Sequence, residues 1–219
     1  MRINRLNDTN TNFKGIHIAN ARNIINNLET DIKLYEMTAK NDKSFIKILP
    51  QKVQMDKLMP DLSAKEYARW HEILQYGCDN ALFADRKSLL AVVNNKPCGL
   101  AVFQPGKNKF HLDCICTWPV EYGKKVPLAG TTLFKQLFTI FQNAKSSRIT
   151  LEAIIDGPYD TVSKYKKLGF MECGGEGHEI FMETNAAKVK QTLKRLDSII
   201  DTEEITDSKN EKLNEIFDL

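Results

Sequence analysis

No apolar run in this 219-residue chain approaches the ~20 residues that a helix needs to cross a bilayer, so a helical membrane span is excluded. The opening residues, Met1-Arg2-Ile3-Asn4, lead into a polar, Asn-rich stretch and not into the apolar core of a secretory signal; the cytoplasm is the expected compartment. Cysteine is sparse and odd in number: Cys78, Cys98, Cys114, Cys116 and Cys173 give no disulfide framework and are expected as reduced thiols. Cys114 and Cys116 share one face of a predicted strand but have no partners at zinc-site spacing, so they read as small buried residues and no metal is expected. Charge of neither sign dominates, since the net value is only +3. Residues 201–219 nevertheless hold seven acids and two bases, which leaves the first 200 residues with an excess of eight bases. A basic body suits an anionic cofactor or nucleic acid, and the absence of aromatic-basic interleaving argues against the second.

What is present is an ordinary globular balance, 42% hydrophobic and 27% charged, enough for one substantial core. Residues 1–30 read as an N-terminal extension, with one helical turn suggested by Ile24, Ile25 and Leu28. A strand is expected at Asp31 to Met37, then helix from Ser44 to Met59 interrupted at Pro50. Ser63-Ala64-Lys65-Glu66 is a capping box, and Tyr67, Trp70, Ile73 and Leu74 follow at spacings of three and four to form one apolar stripe. Ser88 to Val93 and Cys98 to Phe103 flank Asn94-Asn95-Lys96-Pro97 as a β-hairpin. A turn at Gln104 to Lys107 leads to the next strand. Late in the chain, Met171 to Cys173 and His178 to Glu183 read as strands joined by a Gly174-to-Gly177 turn. Residues 186–200 form an amphipathic helix with Val189, Leu193, Leu196 and Ile200 on one face, followed by an acidic, loosely ordered tail to residue 219.

Between these lies the informative stretch: a strand at Phe110 to Trp118, a loop at Pro119 to Leu128, a helix at Gly130 to Gln142, a strand at Arg148 to Ile155, and a short helix ending in Tyr165-Lys166-Lys167-Leu168-Gly169-Phe170. This is a βαβ unit; its crossover makes the two strands parallel and places the loop at the carboxyl end of the first, where α/β sheets bind ligands. The order of elements, the helix start Ala129-Gly130-Thr131-Thr132-Leu133-Phe134 and the Y-x-x-x-G-F run at Tyr165 to Phe170 together resemble the GNAT superfamily of acetyl-CoA-dependent N-acetyltransferases, from about Asp31 to about Thr184. The resemblance implies an α/β chain with a mixed sheet, the GNAT-like acyl-CoA N-acyltransferase fold, spanning residues 31–185. It leaves 1–30 as an extension and 186–219 as a C-terminal helix and tail. It also implies acetyl transfer from acetyl-CoA to an amine of a small molecule, peptide or protein, in a monomer or a homodimer. A domain of the same fold that has lost catalysis and binds an acyl-CoA or a protein partner is the alternative.

The family's pyrophosphate loop, Gln/Arg-x-x-Gly-x-Gly/Ala, falls on Lys125-Val126-Pro127-Leu128-Ala129-Gly130: Gly130 matches, Lys125 replaces the Arg or Gln, and Leu128 stands where Gly is usual. A helix start presents unpaired N–H groups and a partial positive charge of roughly +0.5 to an anion. The implied cofactor residues are therefore Lys124, Lys125, Val126, Leu128, Ala129, Gly130 and Thr131, with Cys116, Thr117 and Trp118 along the thioester arm. Tyr165 matches the family's tyrosine that protonates the departing thiolate, and a phenol with a pKa near ~10 suits that task. The position of the family's Asn, seven residues earlier, holds Pro158. Asp113, ahead of Glu152, is the candidate general base, with His111 and Glu121 nearby in sequence. In the resembling family Tyr67, Trp70 and His71 can reach the acceptor pocket, whereas their spacing by itself favours core.

Overall fold

The computed structural model describes residues 13–23, 30–157 and 159–205. Strands β1 (Ile16–Asn23), β2 (Asp31–Met37), β3 (Lys87–Val93), β4 (Lys96–Gln104) and β5 (Phe110–Thr117) pair antiparallel in succession. The β3–β4 hairpin turns on Asn94 and Asn95, both left-handed at φ 49° and 60°, the geometry of a two-residue type I′ turn that Asn tolerates. Helix α4 (Ala129–Asn143) then crosses over to β6 (Arg148–Ile154), which lies parallel to β5. After α5 (Thr161–Lys167), strands β7 (Met171–Glu176) and β8 (Glu179–Asn185) add antiparallel to β6. Helix α6 (Ala186–Leu196) returns the chain to the far edge, where β9 (Ile200–Glu204) pairs with β1. Among the described residues the sheet has nine strands, in the order β7-β8-β6-β5-β4-β3-β2-β1-β9.

The sheet is mixed, as expected, but it takes in β1 and β9, so the boundaries drawn at residues 31 and 185 do not mark its ends. The turn suggested at Ile24, Ile25 and Leu28, and the tail beyond residue 205, lie outside the described residues. Helix α1 (Ala39–Lys52), capped by the Thr38 hydroxyl, runs through Pro50 and ends two residues later. Pro50 is therefore no interruption; the break falls at Val53 and Gln54, ahead of α2 (Met55–Leu58). Strand β7 likewise runs through Gly174 and Gly175, leaving only Gly177 and His178 to turn. The last amphipathic helix stops at Leu196, and Ile200 opens β9.

Two apolar layers cover the sheet. On one face α4 and α6 bury Leu133, Phe138, Phe141, Val189 and Leu196 against Phe110, Leu112 and Ile149. On the other, α1 and α3 (Ala64–Asn80) bury Phe45, Leu49, Trp70 and Leu74 against Leu100, Cys114 and Cys116. Strand β5 contributes to both because of a bulge: Phe103 faces Leu112 and Val102 faces Cys114, which leaves Asp113 as the extra residue. The bulge switches the alternation, so Leu112 and Cys114 belong to opposite cores. The capping box of α3 is present, with the Glu66 amide donating to Ser63 Oγ (3.3 Å) and the Ser63 amide to Glu66 Oε2 (2.9 Å). The buried Lys135 ammonium donates to the Ile200 carbonyl (2.6 Å) and pairs with Asp197 (2.8 Å), tying α4 to the corner between α6 and β9.

Helix α3 approaches β5 closely at Gly77, where a Cβ would lie 2.6 Å from Cys114 Sγ. Helix propensity alone favours alanine there by about 1 kcal/mol, but overpacking costs about 1–3 kcal/mol. Gly77→Ala should therefore lower stability in urea unfolding, and Gly77→Ala with Cys114→Ala should recover most of the loss.

Candidate active site

The parallel ladder between β5 and β6 is short. It pairs Phe110, His111 and Leu112 with Ile149, Thr150 and Leu151 and then stops, although β5 continues to Thr117 and β6 to Ile154. The strands splay beyond that point, and the edge of β5 from Asp113 to Thr117 that faces β6 has no ladder there. A cavity of about 580 Å³ opens at the splay. Cys116 and Thr117 of β5, Leu128 to Thr131 at the start of α4, Ile154 of β6, Tyr165 of α5, and Trp70 and Ile73 of α3 are among its walls.

The start of α4 is built to leave donors free. Helices α1, α3, α5 and α6 each carry a side-chain N-cap, from Thr38, Ser63, Asp160 and Asn185, whereas α4 has none. Its N-cap is Leu128, whose side chain cannot accept a hydrogen bond although its carbonyl accepts from the Thr132 amide (2.7 Å), so the amides of Gly130 and Thr131, both residues of the cavity wall, have no protein acceptor among the described residues. Leu128 is also left-handed, at φ 59° and ψ 9°. The backbone here adopts a conformation that glycine takes freely and that costs other residues about 1–2 kcal/mol. A Cβ added at Gly130 would sit 3.6 Å from Thr117 Cγ2, which fixes the helix tip beside the end of β5.

Among the described residues every charged side chain of the wall is a base: Lys164 and Lys167 from α5 and Arg195 from α6 line the cavity, and no carboxylate or histidine does. Lys125 and Lys164 both stand 4.8 Å from the centre of the Tyr159 ring. The Lys164 pKa is lowered, first by burial and then by Lys125. A set of like charges that repel one another beside unpaired amides is an anion site. Arg195 is anchored by donating to the Lys167 carbonyl, and Thr192 Oγ1 donates to the Leu168 carbonyl (3.1 Å), so α6 buttresses α5. Across the opening, Arg69 of α3 holds Asp156 in the loop after β6, at 2.8 and 3.0 Å.

Tyr165 lines the cavity with its ring edge-on to Phe134 (5.6 Å between centroids) and tilted against Phe170 (6.1 Å). Burial first, and then the Cys114 and Cys116 thiols, raise its pKa, so the phenol keeps its proton well past neutrality. It can donate a proton and cannot act as a base.

Of the residues expected from sequence, Cys116, Thr117, Val126, Leu128, Ala129, Gly130, Thr131 and Tyr165 share this cavity. Trp118 does not line it. Its amide donates to the Cys98 carbonyl (2.9 Å) and its indole to the Pro97 carbonyl (2.6 Å), so it closes the core against Trp70. Lys124 is exposed and paired with Glu121 (2.9 Å). Lys125 stands at the rim, over Tyr159. Neither proposed base is in the cavity. Asp113, the bulged residue, is ion-paired with Arg86 at 2.8 Å with its side chain 4% exposed, and its pKa is raised by burial against the lowering effect of Arg86. Glu152 is exposed on β6. His111 is held by Thr150 Oγ1 (2.9 Å). Tyr159, Lys164, Lys167 and Arg195 went unassigned from sequence; the basic run at 164–167 was a legible signal, but nothing marked Arg195, whose helix reads only as an apolar stripe.

The mixed sheet, the single parallel pair and the splay at its end define the acyl-CoA N-acyltransferase fold of the GNAT superfamily. Among solved structures the chain is similar to FdhC, a nucleotide-linked sugar GNAT in its apo form, at 14% identity over 86% of this chain and 98% of that one, TM-score 0.52. A GNAT-family protein from Desulfovibrio desulfuricans matches at 12% identity over 71% and 99%, TM-score 0.53. An aminoglycoside 6′-acetyltransferase type Ii matches at 16% identity over 70% and 96%, TM-score 0.50. No family model and no curated protein matches the sequence. Among the described residues no helix is long and apolar enough to cross a membrane, and no three His, Cys, Asp or Glu residues gather as a metal site.

The left-handed Leu128 gives a direct test. Leu128→Val, whose branched Cβ is worse in that region, should lose at least about 1 kcal/mol in denaturant unfolding. Leu128→Gly should stay within about 1 kcal/mol of the parent, because relief of strain offsets the loss of a half-buried leucine.

Proposed function

We propose that this chain is an N-acetyltransferase that takes the acetyl group from acetyl-CoA and gives it to an amine of a small molecule, peptide or protein. The observation that carries the reading is the uncapped start of α4, its Gly130 and Thr131 amides turned to the cavity where β5 and β6 part. The residues fit the cofactor. Amides at a helix start and a rim of Lys125, Lys164, Lys167 and Arg195 suit its phosphates, and the unladdered edge of β5 around Cys116 and Thr117 suits the amide-bearing arm. Acetyl-CoA supplies the acetyl group as a thioester, already activated toward an amine. The protein's part is to hold the carbonyl within reach of the nitrogen, keep bulk water out, and return a proton to the departing sulfur. As the new C–N bond forms and the C–S bond breaks, the Tyr165 hydroxyl gives its proton to sulfur, and the proton lost by the nitrogen restores the phenol through solvent. Among the described residues no carboxylate lines the cavity to deprotonate the acceptor, so that proton leaves to water or to a group brought by the acceptor. This same absence favours a second reading, a GNAT-fold domain that binds an acyl-CoA or a protein partner without turnover.

Titration calorimetry with acetyl-CoA, followed by thiol release across an amine panel, separates the two: binding with turnover supports the first, binding without turnover the second in its acyl-CoA form, and no binding overturns the first. Gly130→Asp should abolish coenzyme A binding by placing a carboxylate against the phosphates, with thermal stability maintained because an acid in the first helical turn is favourable. Tyr165→Phe should lower kcat by about 10²-fold while the Kd for acetyl-CoA stays within about twofold. An unchanged kcat would remove the phenol from the reaction.

A further inference from the structure

Beside α3 the cavity leads onto an open strip of sheet. Ile149, Leu151, Ala153 and Met182 are buried in the α4 core, so strand alternation turns Thr150, Glu152 and Ile154 of β6, and Glu179 and Phe181 of β8, to the side of the sheet that carries α3. Glu152 is exposed there, and Thr150, Glu179 and Phe181 are only half-buried. Across the ladder Glu152 stands opposite Phe181, and Ile154 opposite Glu179. Ile73 and Ile154 are walls of the cavity. One helical turn beyond Ile73 is Tyr76, 53% exposed, and two residues before Ile154 is Glu152. Burial, and then the charges of Asp113 and Glu152, raise the Tyr76 pKa, so its phenol stands on the side of α3 that faces β6. The arginines bordering the strip are already occupied: Arg69 by Asp156 and Glu72, Arg86 by Asp113 and Asp85, Arg148 by Glu183. His111 is held by Thr150, and burial first, with Lys109 also contributing, lowers its pKa, so it is neutral at pH 7. Glu152 forms no ion pair among the described residues.

We propose that the acceptor is a diamine, one nitrogen of which reaches the thioester at the splay while the other, as an ammonium, rests on Glu152 beside Tyr76 and Phe181. This rests on the acetyltransferase reading above and narrows its acceptor. A carboxylate without a cation of the protein's own, next to accessible aromatic rings, is complementary to an ammonium group and to no anion. The two ends of the reaction are separated by charge: bases gather where α4, α5 and α6 meet at the cavity, and the strip beside α3 presents Glu152. Two residues along a strand span about 7 Å, so a chain of about five carbons between the nitrogens matches the step from Ile154 to Glu152. The reacting nitrogen attacks as the free amine and ends as an amide. The distal ammonium keeps its charge throughout and serves only to hold the acceptor in place.

Pentane-1,5-diamine and hexylamine test this, because they differ only in an ammonium in place of a terminal methyl. In thiol release from acetyl-CoA the diamine should exceed hexylamine in kcat/KM by at least about tenfold. Its second nitrogen accounts for about twofold by statistics, and the remaining factor of about five is the scale of an exposed ion pair joined by a cation–π contact. Glu152→Gln should bring the ratio down to about two, and Glu152→Lys should bring it below one. Both variants alter an exposed side chain, so the fold is retained. High salt should erode the preference in the parent protein. A parent ratio of about two, or a ratio that Glu152→Lys leaves unchanged, overturns the proposal, and thiol release with other amines then leaves the acetyltransferase reading standing. If acetyl-CoA releases no thiol to any amine, both fall.

Discussion

The parallel pairing of β5 with β6 cannot be maintained past Leu112 and Leu151, and the rest of the molecule accommodates that break. A sheet interior normally leaves no backbone donor or acceptor without a partner. Here β5 stays paired to β4 as far as Thr117, while β6 stays paired to β8 over its whole length. Each strand is fixed by its outer neighbour as the two diverge. The bulge at Asp113 lies at the point of divergence and adds local twist, and the Arg86 ion pair anchors the bulged residue. The opening is thus a property of a firmly held sheet, with α3 and α4 as its lateral walls.

Charge and strain follow from the same opening. A helix start pointing into it would ordinarily be capped, and four other helices of the chain are. At α4 the capping position is a left-handed leucine, so the backbone gives up both a favourable conformation and a cap. The lysines at 125 and 164 share one aromatic ring, and burial together with their mutual repulsion favours loss of charge at Lys164. The indole nitrogen of Trp70 is a third unfavourable feature, buried without an acceptor among the described residues.

Much of this was legible in the residues. The capping box at Ser63, the Asn94-Asn95 hairpin, the strand–helix–strand order and the register of Tyr165 are local patterns, and the structure places each where its pattern puts it. The misreadings were of residues whose local signal and tertiary setting disagree. Pro50 reads as a helix breaker yet sits in a last turn that packing sustains, and Gly174 and Gly175 read as a loop but lie in an edge strand. Trp118, expected on the thioester arm, is claimed by two carbonyls of the β3–β4 hairpin's far strand. Asp113 looks like a base on a strand, but a guanidinium from the loop ahead of β3 already occupies it.

The sequence by itself determined the alternation and capping of each element, the position of the βαβ unit, and the groups gathered in the loop before Gly130, because these depend on contacts among neighbours in the chain. Only the tertiary structure decided that β1 and β9 extend the sheet, that Arg195 reaches the rim, and that the Trp70 indole N–H has no acceptor among the described residues. Those outcomes depend on residues far apart in sequence meeting across a layer, and no local periodicity encodes which partners remain after the strands have paired.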